Sequence, residues 1–395
     1  MPSARAERLK RWVRVIFWHA QTSRANQVCR QFIKWLAPMP MAGPKRFVKQ
    51  LMRLYYSATT GLVSPQMNVL TVAVHDNWRD FREALKLLTP HGSGRWGAVH
   101  FAPASQTTAP DFWLILNSPE NDIVIDAPPE RIWFASGEPP TKAYRPFHLG
   151  QGKGTTVLTC DPDLASLTIG EENRRFILSP VMARTWRVKR SIDELGRSPR
   201  PDKPKTLSWV TSNTERIEGH RRRMAFLRSI QGRVSFDLYG RGFRPIYDKW
   251  EGVAPYKYSI AFENFVSPYY FTEKLMDCFV CLTLPFYFGS PQAGKFFPSR
   301  SFIIIDPDDP HVAEKITDVS KSDLWLERQS ELEEARWLTL YKYNIFSQIS
   351  RLMLQSLAPP SDMERIAVHK SAISSAGNED LGGPGKQSAD LDPLT

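Results

Sequence analysis

The sequence predicts an α/β protein of two halves joined by a linker. In each half, short apolar runs of strand length alternate with stretches of helical periodicity, a pattern typical of a largely parallel sheet. A segment rich in proline and charged residues, 191–205, separates the two halves. Ligands of open α/β sheets bind at the carboxyl ends of the strands, so we expect a site in a cleft between the halves.

The first half is predicted from its apolar runs. Strands are expected at VLTVAVHD (69–76), WGAVHFA (96–102), DFWLILN (111–117) and RIWFASG (131–137), with a helix at 78–88. The second half repeats this order. Its expected strands are 206–213, 234–240, 258–264, 286–289 and 301–306, with helices at 215–230, from Thr272, and over a long amphipathic region at 322–357.

Both ends of the chain differ from this body. Residues 1–60 contain 12 Lys and Arg but one acidic residue, whereas the rest of the chain has equal numbers of basic and acidic residues. We therefore predict a basic amphipathic arm at 1–62, whose apolar stripes in residues 5–36 either contact an anionic membrane or pack on the body. Residues 358–395 contain no aromatic residue and are predicted to be disordered.

Composition excludes several classes of protein. No apolar run approaches the roughly 20 residues that a transmembrane helix needs, and the N-terminus does not read as a secretory signal. Four cysteines in 395 residues do not form a disulfide framework. The charge excess lies on the arm and not on the body, which argues against nucleic-acid binding. We predict a cytoplasmic protein, with peripheral attachment to the inner face of the membrane through the arm.

The segment FENFVSPYYFTEKL (262–275) carries the strongest local signal of chemistry. A strand ends at Glu263 and Asn264, and Thr272 is placed to cap the next helix. Lys274 then lies in the first helical turn, where the helix dipole disfavours a cation by roughly a few tenths of a kcal/mol. A bound phosphate would reverse that cost, while a solvent-exposed lysine at little cost is the alternative.

Arg223 provides a second basic point. Arg221 and Arg222 are expected on the solvated face of their helix. Arg223 instead precedes apolar residues by three, four and seven positions, which places it on the buried stripe near the start of the helix. From there it can enter the same cleft as Lys274.

The segment 262–275 resembles the donor-binding motif of glycosyltransferase family 10, the α-1,3/4-fucosyltransferases, of bacterial type. That motif reads FEN-Ser, three variable residues, Asp-Tyr, Val or Ile, then TEKL. The chain departs from it at Phe265, where the family has Ser, and at Tyr269, where it has Asp. The likeness continues through LPFYFGSP (284–291) and FFPSRSFIIID (296–306) and covers residues 130–310. At the motif spacing the chain keeps Phe262, Glu263, Asn264, Tyr270, Thr272, Glu273, Lys274 and Leu275.

The resemblance implies two Rossmann-like domains that face a cleft, the GT-B type. The acceptor side would be 63–190 and the nucleotide-sugar side 206–357. It implies an inverting transfer of fucose from GDP-fucose to a glycan hydroxyl, with no essential divalent metal. Glu138 in WFASGEPP (133–140) matches the family's Glu-x-Pro-like segment and would be the base that deprotonates the acceptor. Without the family it is a loop acid before two prolines.

The resemblance also implies a donor-binding set. Arg223 and Lys274 would neutralise charge on the leaving diphosphate. Glu273 and Tyr270 would hold ribose or sugar hydroxyls, and Asn264 the sugar or a phosphate. Glu263 and Thr272 complete the set.

Two alternatives stay open at this point. One is a transferase of the same fold that uses another nucleotide sugar such as GDP-mannose, and the other is a non-catalytic glycan-binding protein at the membrane surface. The acceptor is also open, although a membrane-docked enzyme favours a lipid-linked glycan. Asp161-Pro-Asp163 and Asp306-Pro-Asp308 are interpreted as turns.

Overall fold

The computed structural model describes residues 69–77, 81–167, 173–180, 185–357 and 364–370. The predicted arm at 1–62, including its membrane contact, and the last 25 residues lie outside this part of the chain. Within it, no helix has both the length and the apolar character needed to cross a bilayer.

The first half of the chain forms a sheet in the order β2-β3-β1-β4-β6-β7-β8, parallel from β3 to β8. The run predicted as one strand at 96–102 is divided between two strands, and the predictions at 69–76, 111–117 and 131–137 are confirmed. The strands are β1 (Leu70–Asp76), β2 (Arg95–Trp96), β3 (Val99–Pro103), β4 (Phe112–Leu116), β5 (Ile123–Ala127), β6 (Ile132–Ala135), β7 (Thr156–Thr159) and β8 (Arg175–Leu178). The helices are α1 (Phe81–Leu88), α2 (Arg145–Leu149), α3 (Pro162–Ser166) and α4 (Ile192–Arg197).

The second half forms a five-stranded parallel sheet in the order β10-β9-β11-β12-β13. Its strands are β9 (Lys205–Val210), β10 (Asp237–Tyr239), β11 (Tyr256–Phe262), β12 (Leu284–Phe288) and β13 (Ile303–Ile304). Its helices are α5 (Glu218–Ile230), α6 (Lys249–Val253), α7 (Glu273–Val280), α8 (Ala293–Phe296) and α9 (Val312–Lys321). The mixed α/β fold with parallel sheets is therefore as expected, and strands β3 to β13 belong to one compact unit.

Aromatic packing fixes α5 against the second sheet. The ring of Phe226 on α5 lies 5.8 Å from that of Trp209 on β9 and 5.3 Å from that of Phe262 on β11, centroid to centroid. All three side chains are buried. Because β11 ends at Phe262, this contact sets the start of α5 beside the carboxyl ends of β9 and β11.

The helical region predicted at 322–357 consists of separate pieces. They are α10 (Leu324–Glu327), α11 (Gln329–Trp337), a π-helical stretch (Leu338–Lys342) and α12 (Ile345–Gln355). The last of these returns to the first half. Phe346 packs against the rings of Phe81 and Phe101, at 6.3 and 5.0 Å. The Asn344 amide donates a hydrogen bond to the Leu88 carbonyl at 2.8 Å.

The C-terminal prediction is wrong for five residues. Glu364–Val368, within the segment predicted to be disordered, forms strand β14 and pairs antiparallel with β5. Ile366 and Val368 are buried there, and the backbone of His369 exchanges two hydrogen bonds of 2.8 Å with the Gln151 amide. Two buried aliphatic side chains and a complete strand partner offset the entropy cost that the composition alone suggested.

Candidate active site

Glu263 organises the start of α7. It follows β11 directly and is only 1% exposed. Its carboxylate accepts a hydrogen bond of 2.7 Å from the Thr272 backbone, and the Thr272 hydroxyl lies 2.8 and 3.0 Å from its two oxygens. Thr272 also caps α7 as predicted, since its hydroxyl accepts from the Lys274 backbone N–H at 3.4 Å. Glu263 thus closes the loop between β11 and α7 from inside.

Lys274 lies between two carboxylates. Its Nζ is 3.4 Å from Glu263 Oε2 and 3.4 Å from Glu273 Oε1. Burial would lower the pKa of this lysine, but the two carboxylates raise it overall. For Glu273 burial acts in the opposite direction, yet Lys274, Lys249 and Arg187 lower its pKa. Lys274 and Glu273 are therefore charged at neutral pH, and Glu273 compensates the cation at the helix start.

A second lysine, Lys249, extends this cluster and is buried. Lys249 Nζ lies 3.2 Å from Asp277 Oδ2 and 3.9 Å from Glu273 Oε1. The other oxygen of Asp277 accepts hydrogen bonds from the backbone N–H groups of Arg187 and Val188, at 2.7 and 3.3 Å. Asp277 therefore ties the chain entering the second half to the same helix that carries Lys274.

Arg223 is buried, as predicted, while Arg221 and Arg222 are exposed. Its Nη1 donates to Asn264 Oδ1 at 2.6 Å, and its Nη2 donates to the carbonyls of Ser212 and Thr214 at 3.1 and 3.2 Å. The guanidinium thereby connects the loop after β9 with the loop after β11. Its charge acts on Lys274, whose pKa it lowers, so the two predicted cations lie within electrostatic range of each other.

Positive charge is concentrated at the start of α5. Burial, followed by the charges of Arg223, Lys274, Arg216 and Arg241, lowers the pKa of His220 to about 4. Burial and Arg241 lower the pKa of Arg223 to about 10, which leaves it charged at neutral pH. The backbone N–H groups at this helix start add their own positive potential. Such surroundings favour a dianionic group over a neutral one.

Glu138 enters this region from the first sheet. It lies three residues after β6 and its carboxylate makes no hydrogen bond within the described residues. Burial raises the pKa of Glu138 most strongly; the charges of Arg187 and Lys274 lower it and that of Glu273 raises it further. The negative charge of Glu138 in turn contributes to the raised pKa of Tyr144 and Tyr270, after burial as the main cause. The structure thus brings Glu138, Tyr270, Glu273 and Lys274 into one electrostatic cluster.

The two departures from the family motif are filled by aromatic contacts. Phe265 packs edge-on against Tyr270 at 5.9 Å, and Tyr269 packs edge-on against Phe296 at 5.8 Å. Apolar rings therefore stabilise the loop where the family has polar side chains. Tyr270 also lies at an isolated antiparallel bridge with Ser267.

All eight predicted site residues lie in this region, but the sequence did not reveal four others. Asp277 lies four residues after Glu273, so helical spacing could have indicated it. Lys249 and Arg187 are distant in sequence from Glu273 and carried no local signal. Neither did His148, whose Nε2 lies 2.9 Å from the carbonyl oxygen of Glu138. The interpretation of Asp306-Pro-Asp308 as a turn is confirmed, and Asp306 Oδ1 accepts a hydrogen bond of 3.0 Å from the Asp308 N–H. The same interpretation is wrong for Asp161-Pro-Asp163, because Asp161 caps helix α3 by accepting a hydrogen bond of 3.0 Å from the Asp163 N–H.

Comparison with known proteins relates the second half of the chain to one protein family. Residues 200–328 match the model described as glycosyltransferase family 10 (fucosyltransferase) C-term. Over 109 residues the chain is 30% identical to 4-galactosyl-N-acetylglucosaminide 3-alpha-L-fucosyltransferase FUT6 of Pongo pygmaeus, which covers 26% of this chain and 30% of that protein. It is 29% identical to 3-galactosyl-N-acetylglucosaminide 4-alpha-L-fucosyltransferase FUT3 of Homo sapiens, over 26% and 29% of the two chains. The chain thus spans less than a third of the length of these relatives.

A solved structure of an alpha1,3-fucosyltransferase with GDP-fucose superimposes on 76% of this chain and 95% of that one, with a TM-score of 0.45 and 18% identity. The segment that matches the family model contains Arg223, the β11–α7 loop and Lys274. These are the parts of the candidate site that lie in the second half of the chain. The resemblance to glycosyltransferase family 10 is therefore confirmed, over residues 200–328 of this chain.

Proposed function

We propose that the protein is an inverting glycosyltransferase that transfers fucose from GDP-fucose to a hydroxyl of a glycan acceptor. The observation that carries this proposal is the position of Glu138. The Glu138 carboxylate, which has a raised pKa and makes no hydrogen bond among the described residues, lies within electrostatic range of Lys274. Lys274 belongs to the segment 200–328 that a fucosyltransferase domain model matches, whereas Glu138 lies outside that segment. A base of raised pKa beside a cationic site suits deprotonation of a hydroxyl as an anionic group leaves.

The donor would bind at the second sheet. Lys274 and Arg223 would contact the diphosphate, and Asn264, held by Arg223, would orient the sugar or a phosphate. Glu273 is ionised and Tyr270 is protonated, so they can accept and donate hydrogen bonds to ribose or sugar hydroxyls. Glu263 and Thr272 use their polar atoms on each other, and we assign them to holding Lys274 in place.

The proposed reaction is a single displacement at the anomeric carbon. Glu138 takes the proton of the acceptor hydroxyl as its oxygen forms the new bond to that carbon. The bond between the anomeric carbon and the phosphate oxygen breaks on the opposite face, and GDP leaves with the electron pair. Lys274 and Arg223 neutralise the charge that develops on the diphosphate. In this scheme no tightly bound divalent metal is required.

We further propose a GT-B arrangement in which an acceptor-side domain (63–190) and a donor-side domain (206–357), joined by 191–205, face a cleft. The arm would hold the protein on the inner face of an anionic membrane, which favours a lipid-linked acceptor. Flotation with anionic liposomes should separate the full chain from one that starts at residue 62. Equal binding by both would rule out the arm as the anchor.

The decisive experiment measures transfer from a panel of nucleotide sugars. We expect activity with GDP-fucose, a loss of about 10²- to 10⁴-fold in kcat for Glu138→Gln, and unchanged GDP affinity in that variant. Lys274→Met should instead abolish GDP binding measured by titration calorimetry. Glu120→Gln, an exposed carboxylate in the same half, is the matched control and should behave as the wild type.

The panel also tests the two alternatives. Transfer from another nucleotide sugar such as GDP-mannose, but not from GDP-fucose, would establish the other donor. The reason to test it is that Phe265 and Tyr269 depart from the family motif. Glycan binding by a folded protein without turnover of any donor would establish a non-catalytic binding protein.

A further inference from the structure

Both backbone groups of Glu138, the N–H and the carbonyl, form hydrogen bonds with side chains. Its N–H donates to Ser136 Oγ at 3.2 Å, and its carbonyl oxygen lies 2.9 Å from His148 Nε2. The preceding residues are held as well, because Asn117 Oδ1 accepts from the Gly137 N–H at 3.0 Å and from the Ser136 hydroxyl at 3.2 Å. These contacts fix the loop, and none of the described residues forms a hydrogen bond with the carboxylate of Glu138 itself.

The hydrogen bonds also locate the proton on His148. Thr159 Oγ1 accepts a hydrogen bond from the Asp161 N–H at 3.0 Å, and it lies 3.0 Å from His148 Nδ1. A carbonyl oxygen can only accept, so Nε2 must carry the hydrogen that is donated to Glu138. The Thr159 hydroxyl then donates its own hydrogen to Nδ1. Burial lowers the pKa of His148, which is fully enclosed, and this keeps the ring neutral.

We propose that His148, oriented by Thr159, is a positioning residue that sets the location of the Glu138 carboxylate relative to the donor site. This inference rests on the proposed function, in which Glu138 is the base. The hydrogen bond between His148 and the Glu138 carbonyl spans ten residues and connects α2 to the loop after β6. The contact between His148 and Thr159 connects the same ring to β7. If this support is lost, the loop can shift, and misplacement of a reacting group by about 1 Å can cost on the order of 10²-fold in rate.

A pair of similar substitutions separates positioning from mere core filling. The amide nitrogen of Gln in His148→Gln can occupy the place of Nε2 and donate to the Glu138 carbonyl, whereas the shorter amide in His148→Asn reaches only the place of Nδ1. We expect His148→Asn to lower kcat by about 10- to 100-fold with the KM for GDP-fucose and the affinity for GDP within about twofold. His148→Gln should retain kcat within about threefold of the wild type, since the single contact is restored.

The control is His100→Gln, a half-buried histidine on β3 of the same sheet, whose pKa is likewise lowered by burial. It should leave kcat unchanged. Equal kcat in His148→Asn and His148→Gln would overturn the proposal, as would a loss of kcat in His148→Asn that is matched by a loss of GDP affinity. Failure of the proposed function is seen separately, since the wild type would then transfer no sugar from GDP-fucose.

Discussion

At the scale of single residues, the surroundings of Glu138 determine how the activity should depend on pH. A base must be ionised to act, and burial raises the pKa of Glu138 above its ordinary value of 4.5. Activity should therefore be lost as pH falls through this raised pKa, so the acid limb of kcat/KM should lie above pH 4.5. The measurement is a pH profile of kcat/KM between the limits of stability.

Two neighbours help to assign that limb. Glu273 stays ionised through the same range, because its pKa is lowered by Lys274, Lys249 and Arg187 in spite of burial. Glu263 has a raised pKa, from burial first, so a Glu263→Gln variant is the control and should keep the limb. A limb that disappears in Glu263→Gln, or one at or below pH 4.5, would contradict the assignment to Glu138.

Lys274 shows how far a sequence can predict one residue. Its place in the first turn of α7 follows from the TEKL spacing, and so does the cap at Thr272. The energetic argument was different: the sequence suggested either a bound anion beside this cation or a solvent-exposed lysine at little cost. The structure supplies two carboxylates, one adjacent and one nine residues before Thr272. No local pattern indicates a charge pair made across a strand-to-helix loop, because the loop conformation decides it.

At the scale of elements, α5 and the loop after β11 touch through their backbones. Gly219 is the second residue of α5, and a Cβ built on it would overlap the Asn264 carbonyl oxygen. Gly219→Ala should therefore push α5 away from Asn264 and break the contact between Arg223 and Asn264. We expect a loss of stability of about 1–3 kcal/mol or more, as for other overpacked sites, together with weaker GDP binding. Thermal unfolding and titration calorimetry measure the two effects.

Gly294→Ala is the matched control for this prediction. Gly294 is also a helical glycine, in α8, but the nearest atom that its Cβ would meet is 3.7 Å away. That variant should keep both its unfolding temperature and its GDP affinity. If Gly219→Ala behaved in the same way, the close approach of α5 to Asn264 would not be needed for the site.

The elements that the sequence predicted best are those with long apolar runs in one sheet. The strands at β1, β4, β6, β9, β11 and β12 were found because both faces of a parallel sheet are buried. Strand β14 was missed because its burial depends on two residues and a distant partner. Strand β8 is one residue shorter than β14, and its charged first residue hides the apolar pattern. A short strand of this kind is recognisable only when its partner is known.

At the scale of the whole molecule, the end of the chain completes the first half. Helix α12 packs on Phe81 and Phe101, and β14 adds Ile366 and Val368 to the core cluster around β5 and β6. A chain ending at residue 357 should therefore lose about 3 kcal/mol or more of unfolding free energy, from two buried aliphatic side chains at about 1.5–3 kcal/mol each. Urea unfolding measures this difference.

A chain ending at residue 370 is the control, because it retains β14. It should unfold at the same urea concentration as the full chain. If the chain ending at 357 did so too, β14 would contribute nothing to stability.

The division into two halves was predictable from the alternation of strand and helix patterns along the sequence. The return of the C-terminal segment to the first half was not, because contacts across more than 200 residues leave no local pattern in the sequence.

The return of α12 and β14 also has a consequence for the order in which the protein acquires its structure during synthesis. The second sheet uses one continuous stretch, from β9 to β13, and can close as soon as that stretch has left the ribosome. The first sheet is made earlier, but the core of the first half is completed by α12 and by β14, which pairs with β5 in a separate two-stranded sheet. We therefore expect the first half to stay incomplete while nearly 200 further residues are added. Arrested nascent chains ending at residue 345, long enough for β13 to have left the ribosome, should accordingly resist protease in the second sheet and be cut in the first. The half that carries the proposed catalytic base would thus mature last, which delays assembly of the site until the whole chain is present.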